Sequence, residues 1–439
     1  MRGRFSAQCM LGVLLVIMAF NFVDRVAIGL MLQNIKHDLV LTDTQLGLLT
    51  GIAFALFYSI MGIPIARWAD RGNRVTIIVA TTAIWSAAVA LCGIAGNFIQ
   101  LLLIRVAVAV GEAGCVPPAH SLIAEYFTRT ERPRAFAIYM LGVPLAMIIA
   151  YFPGGWANEV YGWRVTFLLL GAPGLVLAAV AWFVLREPRL DNTRGLSSSG
   201  LMNAMKPDSK APTLDQSKLS DVVATLWANR TFCHLLLCIA ISSFFGYGLL
   251  QWEPTFFMRT YGLGSAEVGT WFALIYGVGG LIGTYVGGEL ATRYAGRNEA
   301  RQLKAMALGY CSFGIFSAGI YLSPNHYWAL VCLALATLGG FTVNGPVFAA
   351  IQTVVPEQMR AISIALVYLF SNLIGLGLGP LAAGALSDTF RPWAGADSLR
   401  YALLVLAPGY VWVGWHAWLG ARHVNGNRNA APCTVSKSA

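Results

Sequence analysis

Apolar stretches of roughly 20 residues recur from one end of the chain to the other, separated by short polar segments. Each stretch has the length that an α-helix needs to cross the hydrocarbon core of a bilayer. The pattern therefore predicts an all-α membrane protein with twelve transmembrane helices. These helices lie near residues 9–32, 44–66, 75–95, 98–126, 135–157, 164–185, 231–257, 266–291, 302–322, 327–354, 361–387 and 399–421.

The longest polar stretch separates the sixth predicted helix from the seventh. Its first part bears Ser, Lys and Asp and is typical of a flexible linker, whereas "LSDVVATLWANR" at its end predicts a short helix along the membrane surface. Four parts are therefore expected. They are an N-terminal six-helix bundle at 1–187, a cytoplasmic linker at 188–229, a C-terminal six-helix bundle at 230–422 and a cytoplasmic tail at 423–439.

The two halves repeat each other. "TDTQLGLLTGIAFALFYSIMGIPIARWADRGNR" aligns with "GSAEVGTWFALIYGVGGLIGTYVGGELATRYAGRN" at an offset of 222 residues, which pairs Gly47 with Gly269. A second segment aligns at an offset of 228 and pairs Pro118 with Pro346. Two pseudo-symmetric six-helix bundles joined by a cytoplasmic linker are the layout of major facilitator transporters, in which the substrate binds near the midplane between the bundles.

Composition and charge agree with a membrane protein. With 57% hydrophobic and 11% charged residues, the chain cannot build a water-soluble surface. The net charge of +10 does not indicate a nucleic-acid partner, because most Lys and Arg residues fall in segments predicted to face the cytoplasm. This asymmetry predicts a multi-pass protein of a bacterial-type inner (plasma) membrane with both termini in the cytoplasm. The eight cysteines show no metal-type spacing and are interpreted as packing residues.

Two charges interrupt the fourth predicted helix, in "RVAVAVGEAGCVPPAH". Arg105 and Glu112 are seven residues apart, which is about 700° of helical rotation and about 10.5 Å of rise, so both lie on nearly the same face. A charge at the membrane centre costs about 2.5–3.5 kcal/mol on insertion scales, so we expect both to face a wet or protein-lined cavity. Their side chains could approach each other or share a ligand, or else form a fixed ion pair that holds helix 4 against helix 1.

Helix 1 carries two more charges, Asp24 and Arg25. Adjacent residues lie about 100° apart on a helix, so the two cannot point the same way. We expect Asp24 to face the cavity and to gain or lose a proton there, and Arg25 to snorkel or pack toward the outer interface.

The repeat gives the helix charges a further meaning. At the offsets above, Asp24 aligns with Gly246, Arg105 with Leu333 and Glu112 with Gly340, so the charges belong to the first half alone. Because a duplicated scaffold would need them twice, we interpret them as functional.

The end of the second helix, "GIPIARWADRGNR", is similar to the loop that latches the cytoplasmic side of major facilitator transporters. Asp70, Arg71 and Arg74 are the gating candidates there, and Arg134 at the entry to helix 5 is a fourth. A solvated basic turn is the alternative interpretation.

Motifs along most of the chain resemble the spinster-like branch of the major facilitator superfamily. They are "NFVDR", "DTQLGLLTG", "ADRGNR", "LIRVAVAVGEA" and "GWRVTFLLLGAPG". The resemblance implies a proton-coupled carrier, in a branch whose members with known substrates move lysolipids or sphingoid lipids such as sphingosine phosphate. It also implies that Asp24 and Glu112 are the proton-linked carboxylates and that Arg105 binds an anion.

The sequence thus predicts a proton-coupled, alternating-access transporter of an amphiphilic, anionic, lipid-like substrate. Arg105 would attract the head group, and proton arrival at Glu112 or Asp24 would weaken the hold on Arg105 and exchange the substrate for the proton. Further substrate-binding candidates are His120, Tyr58, Tyr139, Tyr247, Trp252 and Tyr368. We expect a monomer whose partners are the substrate, protons and the bilayer, with no cofactor or metal.

Four other functions compete with this one. A carrier of small organic anions or drug-like amphiphiles would use the same machinery. A non-transporting sensor or a lipid scramblase would not accumulate its ligand along a gradient. A membrane enzyme is disfavoured, because the chain lacks the HExxH, GxSxG and GxxxxGK[ST] motifs.

Overall fold

A computed structural model describes residues 2–128, 130–188, 219–291, 293, 298–356 and 359–429. Most of the flexible linker predicted before residue 219, and the end of the predicted tail, lie outside these residues. The helices in the first half are α1 (Arg2–Leu39), α2 (Asp43–Thr50), α3 (Ile52–Arg71), α4 (Arg74–Cys92), α5 (Phe98–Glu112), α6 (Val116–Tyr126), α7 (Arg132–Met140) and α8 (Gly142–Val184).

The second half begins with the short helix predicted at the end of the linker. Its helices are α9 (Leu219–Ala228), α10 (Arg230–Tyr261), α11 (Ser265–Phe272), α12 (Gly280–Leu290), α13 (Glu299–Leu322), α14 (His326–Val354), α15 (Arg360–Phe370), α16 (Gly379–Ala394), α17 (Ser398–Leu406) and α18 (Gly409–Asn429). Two π-helical segments, Ala273–Gly279 and Ser371–Leu378, join α11 to α12 and α15 to α16.

The described residues contain ten helical stretches that are long and apolar enough to cross a membrane. Two of them, Arg134–Val184 and Ile362–Val424, have 51 and 63 residues, which is enough for two crossings each. The first is broken at Gly162, whose φ of 77° is non-helical, and the second at Gly395, whose φ is 56°. The described part of the chain therefore makes twelve crossings, and the all-α membrane fold predicted from the sequence is confirmed.

Asparagines in the short connections set where several helices begin. The side chains of Asn73, Asn97, Asn229, Asn298 and Asn325 each accept a hydrogen bond from a backbone N–H three residues later. Such caps satisfy N–H groups that have no partner within the helix. The polar punctuation between the apolar stretches therefore fixes the helix ends.

The chain forms two compact units. The first contains α1–α8 together with Leu263–Ala273, and the second contains Leu219–Gly262 and the chain from Leu274 onward. The helix that starts as α11 therefore leaves the first unit inside its π-helical segment. In the first unit, α8 packs on α1, α4 and α11; in the second, α10 packs on α18 and α14 on α13.

Within the first unit, α11 lies so close to α8 that backbones touch. A Cβ on Gly155 would lie 2.4 Å from the Ser265 carbonyl oxygen, and one on Gly269 would lie 2.1 Å from that of Tyr151. The Ser265 hydroxyl donates to the Gly155 carbonyl over 2.9 Å, and the N–H of Ala266 donates to the Glu159 carboxylate. Only glycine permits this approach at the two positions.

Candidate functional site

The charged residues of the membrane helices meet inside the first unit. The Arg105 guanidinium on α5 donates to Oδ2 of Asp24 on α1, with Nη1 and Oδ2 2.5 Å apart. Both side chains are only 1% exposed. Because a buried ion without a partner is very costly, the pair holds the two helices in a defined register.

A second ion pair joins the same two helices. The Arg25 guanidinium donates to Oε2 of Glu112, whose side chain is fully buried. Arg25 also lies over the rings of Phe22, Phe54 and Tyr58, with 4.5–4.7 Å between its guanidinium carbon and the ring centroids. These rings stabilise the cation by cation–π interaction.

The pairing matches one of the alternatives given for the fourth predicted helix, in which ion pairs hold it against the first. Arg105 and Glu112 share a face, as their spacing predicts, but each is paired across to α1 rather than to the other. Arg25 was expected to snorkel or pack toward the outer interface, and that expectation is wrong, because it is the cation that pairs with Glu112. Its place next to Asp24 in a membrane helix was the one sequence signal for this role.

Each of the two carboxylates leaves one oxygen unused. Oδ1 of Asp24 and Oε1 of Glu112 are buried and have no hydrogen-bond partner among the described residues. A carboxylate oxygen in this position can take a proton without losing an existing bond, whereas an oxygen already bonded to an arginine cannot. Asp24 and Glu112 therefore each keep one buried carboxylate oxygen that no arginine occupies.

Asn21 adds uncommitted polar atoms near the charges. It lies about one turn before Asp24 and Arg25 on α1, and it is fully buried. Neither its amide oxygen nor its amide nitrogen has a hydrogen-bond partner among the described residues. Sequence reasoning missed this residue, although a buried asparagine without a partner is rare in folded proteins.

An aromatic cluster defined by His120, Phe136 and Tyr139 lies in the same unit. The His120 ring packs edge-to-face on Phe136 and Tyr139, with centroids 5.1 and 5.5 Å apart. Nε2 of His120 is buried and has no hydrogen-bond partner in the described part of the chain. Tyr58, which lies under Arg25, also stacks on Phe54 at 5.8 Å. The predicted binding residues His120, Tyr139 and Tyr58 therefore lie in the unit that holds the charges.

The other three predicted binding residues belong to the second unit. Trp252 is fully buried, and its indole N–H donates to the Pro380 carbonyl over 2.9 Å, so it is a packing residue here. Tyr368 is half exposed and stacks on Phe348. Tyr247 is partly buried in α10.

The four gating candidates are in very different surroundings. Arg74 is fully buried and forms ion pairs with Glu125 and with Glu187, at the far end of α8. Its backbone N–H also donates to Glu187, and its guanidinium donates to Ser121. Arg74 therefore ties three helix ends together within the first unit.

Arg71 and Arg134 are exposed, in contrast to Arg74. Asp70 belongs to the last turn of α3, and its side chain lies outside the described ones.

Among the described residues, no group of three or more His, Cys, Asp or Glu residues is arranged to hold a metal ion.

Twelve crossings, an internal duplication and buried intramembrane charges define a membrane transporter. The chain belongs to the Major Facilitator Superfamily, which it matches over residues 14–380. It is therefore a transporter and not an enzyme. The predicted resemblance to the spinster-like branch is confirmed by a crystal structure of a bacterial homologue of the human lysosomal transporter spinster, inward-facing and unoccupied. The two chains are 30% identical, with a TM-score of 0.82 over 96% of this chain and 98% of that one.

Curated relatives show how widely the cargo varies among similar proteins. An MFS-type efflux pump of Mycolicibacterium smegmatis is 32% identical over 416 residues, which is 94% of this chain and 92% of the relative. A hexuronate transporter of Bacillus subtilis is 26% identical over 398 residues, or 88% and 89% of the two chains. Family membership therefore leaves the substrate open.

Proposed function

We propose that the protein is a proton-coupled secondary transporter that carries an amphiphilic anion by alternating access. The observation that carries this proposal is the double ion pair, in which each carboxylate keeps one buried oxygen without a partner. The protein has no cofactor in this proposal, and the proton is the coupling ion.

In this proposal, Arg105 couples the binding of the proton to the binding of the substrate. When Asp24 takes a proton it loses its charge, so its hold on Arg105 weakens and the guanidinium becomes available to an anion. Conversely, an anion that binds Arg105 displaces Asp24, and a carboxylate left without its cation in a buried site favours the protonated form. In this proposal proton and anion therefore bind together, as in a cotransporter, and not in exchange for each other as the sequence led us to expect.

Glu112 and Arg25 form the second element of the coupling. A proton on Glu112 would weaken its ion pair with Arg25, but the guanidinium would keep its contacts with the rings of Phe22, Phe54 and Tyr58. The two helices can therefore lose this ion pair without exposing a bare charge to the bilayer.

The surroundings of Arg105 favour an amphiphile. The guanidinium carbon of Arg105 lies 5.2 Å from the centroid of the Phe54 ring, so a bound anion would meet an aromatic surface beside the cation. A lysolipid or sphingoid phosphate offers a charged head group joined to an apolar chain, which fits this combination. The similarity to a spinster homologue supports the same class.

The second candidate is a carrier of small organic anions or drug-like amphiphiles. The similarity to a hexuronate transporter and to an efflux pump favours it. Arg105 would bind the carboxylate of a small organic anion in the same way.

We place the transporter in a bacterial-type inner membrane with both termini in the cytoplasm. The excess of Lys and Arg in the segments assigned to that side supports this orientation. The chain acts as a monomer in this proposal.

Proteoliposomes with a trapped pH-sensitive dye test the function. Under an imposed pH gradient, lysophosphatidylglycerol, sphingosine phosphate, glucuronate and ethidium are added one at a time, with protein-free liposomes as the blank. We expect the lysolipid or the sphingoid phosphate to trigger protein-dependent proton movement. Glucuronate or ethidium as the sole effective probe would support the second candidate instead.

Matched variants identify the coupling groups in the same assay. Asp24→Asn and Glu112→Gln should abolish or strongly reduce substrate-driven proton movement, whereas Glu289→Gln should retain it. Glu289 is a suitable control because its side chain is 43% exposed and its one ion pair among the described residues is with the exposed Arg293. Full coupling in both Asp24→Asn and Glu112→Gln would refute the mechanism.

A further inference from the structure

A separate buried carboxylate lies in the second unit. Glu253, on α10, is only 3% exposed. The offset of 222 that aligns the two halves places Met31 at the equivalent position. Glu253 therefore is not a copy of any charge in the first unit.

Two tyrosine hydroxyls hold this carboxylate. Tyr276, in the π-helical segment after α11, donates to Oε2, and Tyr321, at the end of α13, donates to Oε1 over 3.3 Å. Both oxygens are therefore hydrogen-bonded, but by neutral groups. This distinguishes Glu253 from Asp24 and Glu112, each of which is paired with an arginine.

The charged groups around Glu253 are committed elsewhere. Arg400, on α17, donates to the backbone carbonyls of Tyr321 and Ser323 over 2.7 and 2.9 Å, and Arg259 lies over the Trp252 ring. Tyr410, on α18, is a further titratable group that interacts electrostatically with Glu253. No ion pair among the described residues includes Glu253.

The hydrogen bonds around Glu253 can accommodate a proton. An ionised carboxylate accepts from both tyrosines. When a proton forms an O–H bond at one carboxylate oxygen, that group donates to a tyrosine oxygen, because a hydroxyl can turn from donor to acceptor. Every group then keeps a partner in both states, whereas the charge itself is costly in a buried site without a cation.

We propose that Glu253, with Tyr276 and Tyr321, forms a second proton-binding site, separate from the arginine-paired carboxylates. Tyr276 lies in the π-helical segment where the chain passes from the first unit to the second. Such π-helical turns are rare and occur mostly at functional sites. Because the Tyr276 hydroxyl is carried by this segment, a rearrangement of the segment would remove that donor from Glu253 and strengthen proton binding. The use of this proton in transport rests on the proposed function, but the binding of the proton does not.

Infrared difference spectroscopy of the purified full chain in lipid tests the site without any substrate. As the pH falls, we expect the carbonyl band of a protonated carboxylic acid to appear. Asp24 and Glu112 can contribute components of their own, so one component of this band should be lost in Glu253→Gln and retained in Glu112→Gln and in the exposed control Glu289→Gln. A difference spectrum that is identical in Glu253→Gln and in the unmodified protein would overturn the proposal.

Tyr276→Phe provides a second variant that keeps the carboxyl group and nearly the same volume. The lost hydrogen bond favoured the charged form, so the band should appear at a pH higher by about one unit. An unmoved midpoint would refute the role of the tyrosine. If the Glu253 band titrates while proteoliposomes show no proton coupling, the site stands and the proposed function falls; coupling without this band has the opposite meaning.

Discussion

Asp24 and Arg25 satisfy two partners on one neighbouring helix although they are adjacent in sequence. About 100° of rotation separates them on α1, and their partners on α5 are about 10.5 Å apart along the axis. The long side chains of Arg25 and Arg105 bridge this difference, each reaching a shorter acid on the other helix. Opposite charges on both helices therefore bind α1 to α5 at two levels.

The Arg25–Glu112 pair should be strongly coupled in folding. Arg25→Gln leaves Glu112 buried without its cation, so we expect a loss of about 3–5 kcal/mol in the free energy of unfolding. Arg25→Gln combined with Glu112→Gln should recover most of that loss, because no bare charge remains. Thermal unfolding of the purified variants in detergent measures both effects.

Arg293→Gln is the control for that comparison. Arg293 pairs with Glu289 on the surface, where both side chains are largely exposed, so its loss should cost less than about 1 kcal/mol. Simple additivity of the two single changes at Arg25 and Glu112 would show that the pair is not coupled.

Sequence patterns identify the charged residues but not their partners. Spacing on α5 correctly places Arg105 and Glu112 on one face, and the adjacency of Asp24 and Arg25 correctly separates their directions. Which acid meets which base depends on how α1 is rotated and shifted against α5, and that follows from packing across the whole interface. The same limit applies to Arg74, whose partner Glu187 is 113 residues away.

Helix ends show which parts of an element are encoded locally. The predicted helix over 98–126 is divided in the structure, because α5 ends at Glu112 and α6 begins at Val116 with prolines in its first turn. The sequence "GEAGCVPPAH" contains this signal, since proline favours the first turn of a helix. The π-helical segment Ala273–Gly279 has no comparable local signal.

The approach of α11 to α8 depends on Gly155 and Gly269. The internal repeat does not reveal that these two glycines make the contact. Gly269→Ala would place a Cβ against the Tyr151 carbonyl oxygen, and backbone atoms cannot move aside as a flexible side chain can. We expect a loss of about 1–3 kcal/mol in the free energy of unfolding, or a separation of the two helices. Thermal unfolding, together with the accessibility of an introduced Cys at position 266, measures the two outcomes.

Gly12→Ala is the matched helical control. No atom of the described residues lies within 4 Å of a Cβ at that position, so alanine should be neutral or slightly stabilising there because of its helix propensity. Equal stability of Gly269→Ala and Gly12→Ala would show that the close contact does not form.

The whole chain combines a duplicated fold with functional groups that are not duplicated. Apolar stretches reveal the twelve crossings from sequence alone, and repeated glycines and prolines, such as Pro118 and Pro346, reveal the duplication. The acids do not follow the repeat, since Asp24 and Glu112 belong to the first half and Glu253 to the second. The fold was therefore more predictable than the partners of the charged residues. An internal repeat identifies the packing that both halves share, but not the acids that only one half carries.

Orientation is a property of the entire molecule and can be measured on it. With both termini in the cytoplasm, green fluorescent protein fused after Ala439 should be fluorescent in whole cells. A short epitope inserted after Pro324, in the connection between α13 and α14, should bind antibody on intact spheroplasts. Antibody binding only after permeabilisation would reverse the assigned orientation.

The four charges of Asp24, Arg25, Arg105 and Glu112 add up to zero. The membrane potential, which acts with about 2.3 kcal/mol per elementary charge per 100 mV, therefore exerts no net force on the empty quartet. If one proton and one monoanionic head group enter together, the sum is still zero. The empty quartet and the loaded quartet then both carry no net charge, so neither moves charge across the membrane. The pH gradient, and not the membrane potential, then drives transport. Glu253, which changes charge singly, is where the voltage would act.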